Sequence, residues 1–315
     1  MNDSLKENYW KNARIAIVGC GAVGTYYGAM LAHAGADVHF LLRSDYAHVR
    51  EHGLKIFSHD SDFELPQVQA YSRAEDIGVC DLVIVAIKAT ANEVLPKVLF
   101  PLIKENTAIL TLQNGMGNAE FLAQYFGDER ILGGACFVCI NRLSPGVVQN
   151  FKHGLIALGE FAGAPTQRTR DLVGLWKSSG VPSQMEESLQ GLLWRKLTWN
   201  VPFNGLTIAA GGVDVSRILA DVELAKLARE LMAELIAAAA ANGVNIEPSY
   251  IDFQMDRTAV MGEYKPSSLI DFQTGRAVEV EAIFGEPYRR AKAADVTTPR
   301  LEMLYALLRN LCSLE

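Results

Sequence analysis

The chain has 315 residues, half of them hydrophobic, enough for two domains, each with a buried core. A net charge of −7 without basic clusters argues against nucleic-acid binding, and no apolar run reaches the roughly 20 residues of a membrane span. Five cysteines are too few for a disulfide framework in a chain of this length, and the polar residues 1–12 lack the apolar core of a signal peptide. A cytoplasmic protein whose first twelve residues form a loose tail is expected.

The first apolar run, Arg14-Ile15-Ala16-Ile17-Val18, reads as a strand and is followed by Gly19-Cys20-Gly21-Ala22-Val23-Gly24. A helix is expected over residues 25–34 and a second strand over 38–42, which ends at Arg43. Three glycines in six residues can form a plain loop. Between a strand and a helix, however, they let backbone N–H groups and the helix dipole hold a pyrophosphate. That assigns Gly19, Cys20, Gly21, Ala22, Val23 and Gly24 to a dinucleotide. An acidic residue after the second strand would bind the ribose 2′-hydroxyl of NAD, whereas an arginine pairs with the 2′-phosphate of NADP. Arg43 therefore points to NADP/NADPH, although Asp45 lies close enough to compete. Cys20 reads as a small spacer.

Further along, residues 81–87 read as a buried strand with Lys88 at its carboxyl end, residues 92–102 as a helix, and residues 107–112 as a strand ending in Gln113-Asn114-Gly115. Ligands of open parallel sheets bind beyond the carboxyl ends of strands, so Arg43, Lys88 and Asn114 should gather at one edge. Short strands are expected near 131–140, 147–150 and 154–159, a helix over 166–178 and an extended segment over 184–188. Cys136 and Cys139 form a CxxC, but no second pair or His partner completes a metal site, and they read as small core residues.

Beyond residue 188 the pattern turns helical. Leu224, Leu227, Leu231 and Leu235 recur at helical spacing and lead into alanines 237–241, with Asn242-Gly243 as a stop. Residues 267–294 and 299–312 also favour helix. The fold class is α/β: a Rossmann-type parallel sheet over residues 1–187, then an all-α domain over residues 188–315. The leucine-rich helices could pack within that domain or across a homodimer.

Lys196, Asn200 and Asn204 stand at i, i+4 and i+8, one face of a helix, with Pro202 as a potential kink. One ammonium and two carboxamides suit a small polar ligand; they would equally suit a solvated face. Downstream, Ser267 or Ser268 reads as an N-cap with Asp271 in the early turns. Glu279, Glu281 and Glu286 read as ordinary solvated helix positions.

Taken in order, Gly19 to Gly24, Arg43, Lys88, Gln113-Asn114-Gly115, Lys196 with Asn200 and Asn204, and Ser267 to Asp271 with Glu279 resemble the ketopantoate reductase (2-dehydropantoate 2-reductase) family over residues 13–310. The resemblance implies NADPH-dependent reduction of a 2-keto acid and a helical domain like that of 6-phosphogluconate dehydrogenase. It implies that Lys196 is the catalytic proton donor and Glu279 the carboxylate that binds and orients substrate. Asn114 would stand near nicotinamide and substrate, Lys88 beside the cofactor, and Asn200, Asn204 and Ser267 against substrate. Departures occur at Val278, Glu281, Phe284 and Tyr264-Lys265, near the expected substrate pocket. A reductase of another small keto acid and an NADP-binding sensor without turnover are the rival readings.

Overall fold

A computed structural model describes residues 9, 10 and 12–313. Among these, the chain forms two compact units. One runs up to Gln113 and resumes over Asn118–Leu189; the other joins Asn114–Gly117 to the helices from Gln190 onward.

The first unit holds the sheet. Its strands are β1 (Arg14–Val18), β2 (Asp37–Leu41), β3 (Leu54–Ser58), β4 (Phe63–Leu65), β5 (Gln69–Tyr71), β6 (Leu82–Val85), β7 (Ala108–Thr111), β8 (Ile131–Ser144), β9 (Val147–Glu160) and β10 (Ser183–Met185). The spatial order is β4-β3-β9-β8-β7-β6-β1-β2-β5, with β10 on β9. From β8 through to β5 every pair is parallel, the Rossmann-type sheet that the sequence implies. The whole sheet is mixed, because β8–β9 and β3–β4 are antiparallel. The turn joining β8 to β9 is too short for a parallel crossover, and Gly146 at φ +70° lets it close. Where two short strands were expected, β9 runs unbroken for 14 residues, and register shifts against β8 absorb the irregularity.

Strands β6 and β7 are buried throughout and β1 is buried from Ile15 on, which is why they read as continuous apolar runs. Helix α1 (Ala22–His33) packs tightly on β1 and β2: a Cβ on Gly28 would come within 2.6 Å of the Phe40 ring and 2.8 Å of Ile17. Helices α2 (Tyr46–His52), α3 (Leu95–Leu99), α4 (Asn118–Phe126) and α5 (Gln167–Ser178) complete the unit. The helix expected over 92–102 is α3 flanked by two 3-10 turns, since Pro101 has no N–H with which to continue it. Of the expected loose tail, residues 1–8 and 11 lie outside the described residues. Trp10 is buried, with its indole N–H 2.8 Å from the Arg168 carbonyl, and the Tyr9 N–H reaches Asp171 at 3.1 Å.

The second unit is helical. It contains α6 (Leu189–Ala209) from Gln190, α7 (Val215–Ala220), α8 (Val222–Ala241), α9 (Tyr250–Ala259), α10 (Ser267–Gln273), a π turn (Glu281–Gly285) leading into α11 (Glu286–Ala293), and α12 (Pro299–Leu311). The helix expected over 267–294 is interrupted: Gly275 at φ +66° ends α10, and an irregular stretch precedes the π turn. Pro202 lies inside α6 without ending it. No helix among the described residues is long and apolar enough to cross a membrane.

Candidate active site

At the end of β1 the chain must turn sharply, and glycine makes the turn possible. Gly19 has φ +103°, and a Cβ there would sit 2.4 Å from the Ile87 nitrogen. A Cβ on Gly24 would lie 2.1 Å from the Gly19 carbonyl oxygen. Gly21 differs: nothing stands within 4 Å of its added Cβ, so the backbone is open to close approach. Helix α1 begins at Ala22 with Gly21 as N-cap, no side-chain cap and no acidic residue in its first turn. Its first helical bond joins the Thr25 N–H to the Gly21 carbonyl, so the N–H groups of Ala22, Val23 and Gly24 have no intrahelical acceptor. Donors at the positive end of the dipole, beside an open glycine, fit a dinucleotide pyrophosphate.

Cys20 is occupied structurally. Its thiol reaches the Leu41 carbonyl at 3.4 Å, tying the glycine turn to the end of β2, and burial followed by the Asp45 charge pushes its pKa far up. It is a spacer. Arg43, just beyond β2, is exposed, and its guanidinium has no partner among the described residues. Asp45, the potential competitor, is buried against Arg142. Lys88 is half-buried as the residue capping a 3-10 turn after β6.

In the helical unit the spacing in α6 does what it promised. Lys196, Asn200 and Asn204 follow one another up a continuous helix, and the Lys196 Nζ donates to Asn114 Oδ1 at 2.8 Å. This joins residues 82 apart in sequence. Asn114 follows β7 by three residues, and residues Asn114–Gly117 pack with the helices. The reason lies at the π turn. The Ala282 carbonyl accepts the Met116 N–H at 2.9 Å, and Gly115, at φ +82°, passes so close that a Cβ would lie 2.3 Å from the Ala282 oxygen. Sequence reading missed this support. The nearest mark of it is Pro287, which has no N–H to give Ile283 and so loosens the helical register there.

The two asparagines are buried, Asn204 only 2% exposed. Its Nδ2 donates to the Asn200 carbonyl and its Oδ1 accepts the Ser268 N–H, both at 3.0 Å. This corrects the expected cap: neither Ser267 nor Ser268 is the N-cap of α10. Pro266 holds that position without a side-chain bond, and Asn204 serves the helix end from α6. Ser267 is exposed in the first turn, and Asp271 pairs with Arg276 at 2.9 Å. Glu279 is buried, 9% exposed, in the stretch before the π turn, unlike a solvated helix position. Glu281 bonds Arg289 and Tyr305, each at 2.7 Å, and Glu286 bonds Arg289 and Arg290. Phe284 is fully buried, within 2.9 Å of a Cβ built on Gly205. The departures at 281 and 284 thus have packing explanations.

The family model for ketopantoate reductase PanE/ApbA matches residues 15–163, and the model for the C-terminal domain of the same family matches residues 188–311. The chain belongs to the ketopantoate reductase family. It is 40% identical over 303 residues to a 2-dehydropantoate 2-reductase of Nostoc sp., covering 95% of each chain. A crystal structure of 2-dehydropantoate 2-reductase from Geobacter metallireducens superposes with a TM-score of 0.92 at 46% identity, covering 94% of this chain and 99% of that one. The fold is also that of D-mandelate dehydrogenase in its ternary structure with NADH and anilino(oxo)acetate, with a TM-score of 0.84 at 24% identity, over 94% of this chain and 97% of that one. Like the rest of the ketopantoate reductase family, the chain is a dinucleotide-binding oxidoreductase acting on CH–OH groups.

Proposed function

We propose that this reductase converts 2-dehydropantoate to pantoate with NADPH, using Lys196 as proton donor. The observation that carries the reading is the Lys196–Asn114 bond of 2.8 Å, which holds an ammonium in a fixed direction. Residues 19–24 would hold the pyrophosphate of NADPH, Arg43 its 2′-phosphate, and Lys88 would lie beside it; the cofactor so bound would supply a hydride. Hydride addition to the 2-keto carbon leaves negative charge on the carbonyl oxygen. Lys196 stabilises that charge and gives the oxygen its proton, then regains one from solvent. Asn114 accepts from the ammonium and so aims it.

Glu279 binds and orients the substrate. Asn200 and the exposed Ser267 contact it, while Asn204, with both ends of its amide engaged, holds α6 and α10 in place. The 40% identity to a protein named 2-dehydropantoate 2-reductase supports the choice of keto acid. The purified protein should form pantoate and NADP in equal amounts from 2-dehydropantoate and NADPH. Lys196→Ala should lower turnover about 10²–10⁴-fold while NADPH affinity stays at the wild-type value. Undiminished turnover in Lys196→Ala would overturn the mechanism, and binding without any turnover in the wild type would leave a sensor.

A further inference from the structure

We infer that Arg142 is a positioning residue for cofactor choice: it clamps Asp45 so that the turn after β2 presents Arg43 as its only uncompensated charge. The inference rests on the reading that Arg43 selects NADPH. Arg43 and Asp45 stand two residues apart, so an arginine suited to a 2′-phosphate lies beside a carboxylate that would repel it or pair with the arginine itself. The structure removes the conflict. Arg142 grips Asp45 with both arms of its guanidinium, Nε to Oδ2 at 2.8 Å and Nη2 to Oδ1 at 2.5 Å. The Ser44 hydroxyl adds a bond at 2.9 Å and the Gly146 N–H one at 3.4 Å, and Asp45 is left 6% exposed.

The clamp is built into the fold. Arg142 sits on β8 where the register against β9 shifts, between Arg142 and Ser144, a break in the ladder that re-aims a side chain. The hairpin tip is anchored in turn: the Gly146 carbonyl accepts the Lys55 N–H at 2.9 Å, and a Cβ on Gly146 would lie 2.9 Å from the Gly53 carbonyl. The Asp45 carbonyl also takes the Val49 N–H at 2.9 Å, within α2. Burial alone would raise the Asp45 pKa, but bonds from Arg142, Ser44 and Gly146 outweigh it and keep the carboxylate ionised.

The test is a fluorescence titration of NADPH and NADH, without substrate, against wild type, Arg142→Met, Arg142→Met with Asp45→Asn, and Arg43→Ala. Arg142→Met should weaken NADPH about tenfold and leave NADH nearly unchanged. The double variant, which removes both charges, should return towards the wild-type ratio. Should Arg142→Met fail to fold, Arg142→Lys keeps the charge but loses the two-armed grip, and the ratio should still fall about threefold. An unchanged ratio in these variants, or equal loss of both cofactors, overturns the inference. If Arg43→Ala leaves the ratio untouched, the NADPH reading fails with it. If Arg43→Ala collapses the ratio and Arg142→Met does not, only the role of Arg142 is lost.

Discussion

At residues 19–24 the groups offered to a ligand are backbone N–H donors, whereas at Lys196 they are side chains gathered from distant segments. The first arrangement tolerates Cys20, Ala22 and Val23 because none of these side chains makes the site; it has no room for a Cβ at Gly24. The second depends on Asn114 reaching Lys196, which requires Gly115 to pass the Ala282 carbonyl. Both sites therefore hinge on a glycine with no room for a Cβ, but for different ends: Gly24 lets the turn at 19–24 close on itself and Gly115 lets Asn114 reach Lys196.

That contrast can be broken with matched substitutions. The largest effect is expected from Gly24→Ala, whose Cβ would meet the Gly19 carbonyl at 2.1 Å. Dinucleotide affinity should fall about a hundredfold, from overpacking of roughly 1–3 kcal/mol that falls on the ligand-binding turn. Gly115→Ala makes a comparable clash, 2.3 Å from the Ala282 oxygen, at a positive φ. It should lower kcat about tenfold and leave NADPH affinity unchanged, because only the aim of Lys196 is disturbed. If Gly115→Ala weakened the cofactor as much as Gly24→Ala, the two sites would not be separable in this way.

The smallest functional effect is expected at Glu160, a buried carboxylate in neither site. Burial would raise its pKa, but bonds from Arg168, Thr169 and Thr166 prevail and lower it. A group held below its ordinary value stabilises the fold fully above that value, about 4.5, and loses its contribution as pH falls through the lower, folded value. Glu160→Gln should thus cost about 1–2 kcal/mol in thermal melts near neutral pH, with turnover unchanged. The difference from wild type should shrink below pH about 4.5, and a constant difference would contradict the assignment.

How far each region could be read from sequence follows from the same contrast. Strands β1, β6 and β7 show as apolar runs because both faces are covered, and the glycine turn shows because its chemistry is local to six residues. Strands β3, β4 and β5 pass unnoticed: Lys55, Glu64 and Gln69 face solvent, and segments of three to five residues carry little periodicity. Helix α4 is hidden in the same way behind the glycines at 115 and 117. The Lys196–Asn114 pair lies beyond any local pattern, since helical spacing aligns Lys196 with Asn200 but says nothing of a loop 82 residues earlier. Only the family resemblance put both residues in one site. Even then the support of Asn114 by Ala282 and the capping of α10 by Asn204 came from the folded chain.

The central claim is met most directly by measuring kcat/KM for NADPH oxidation across a panel of 2-keto acids that includes 2-dehydropantoate. The account predicts that 2-dehydropantoate ranks first by at least about tenfold. Another keto acid ranking clearly above it would contradict the proposed substrate.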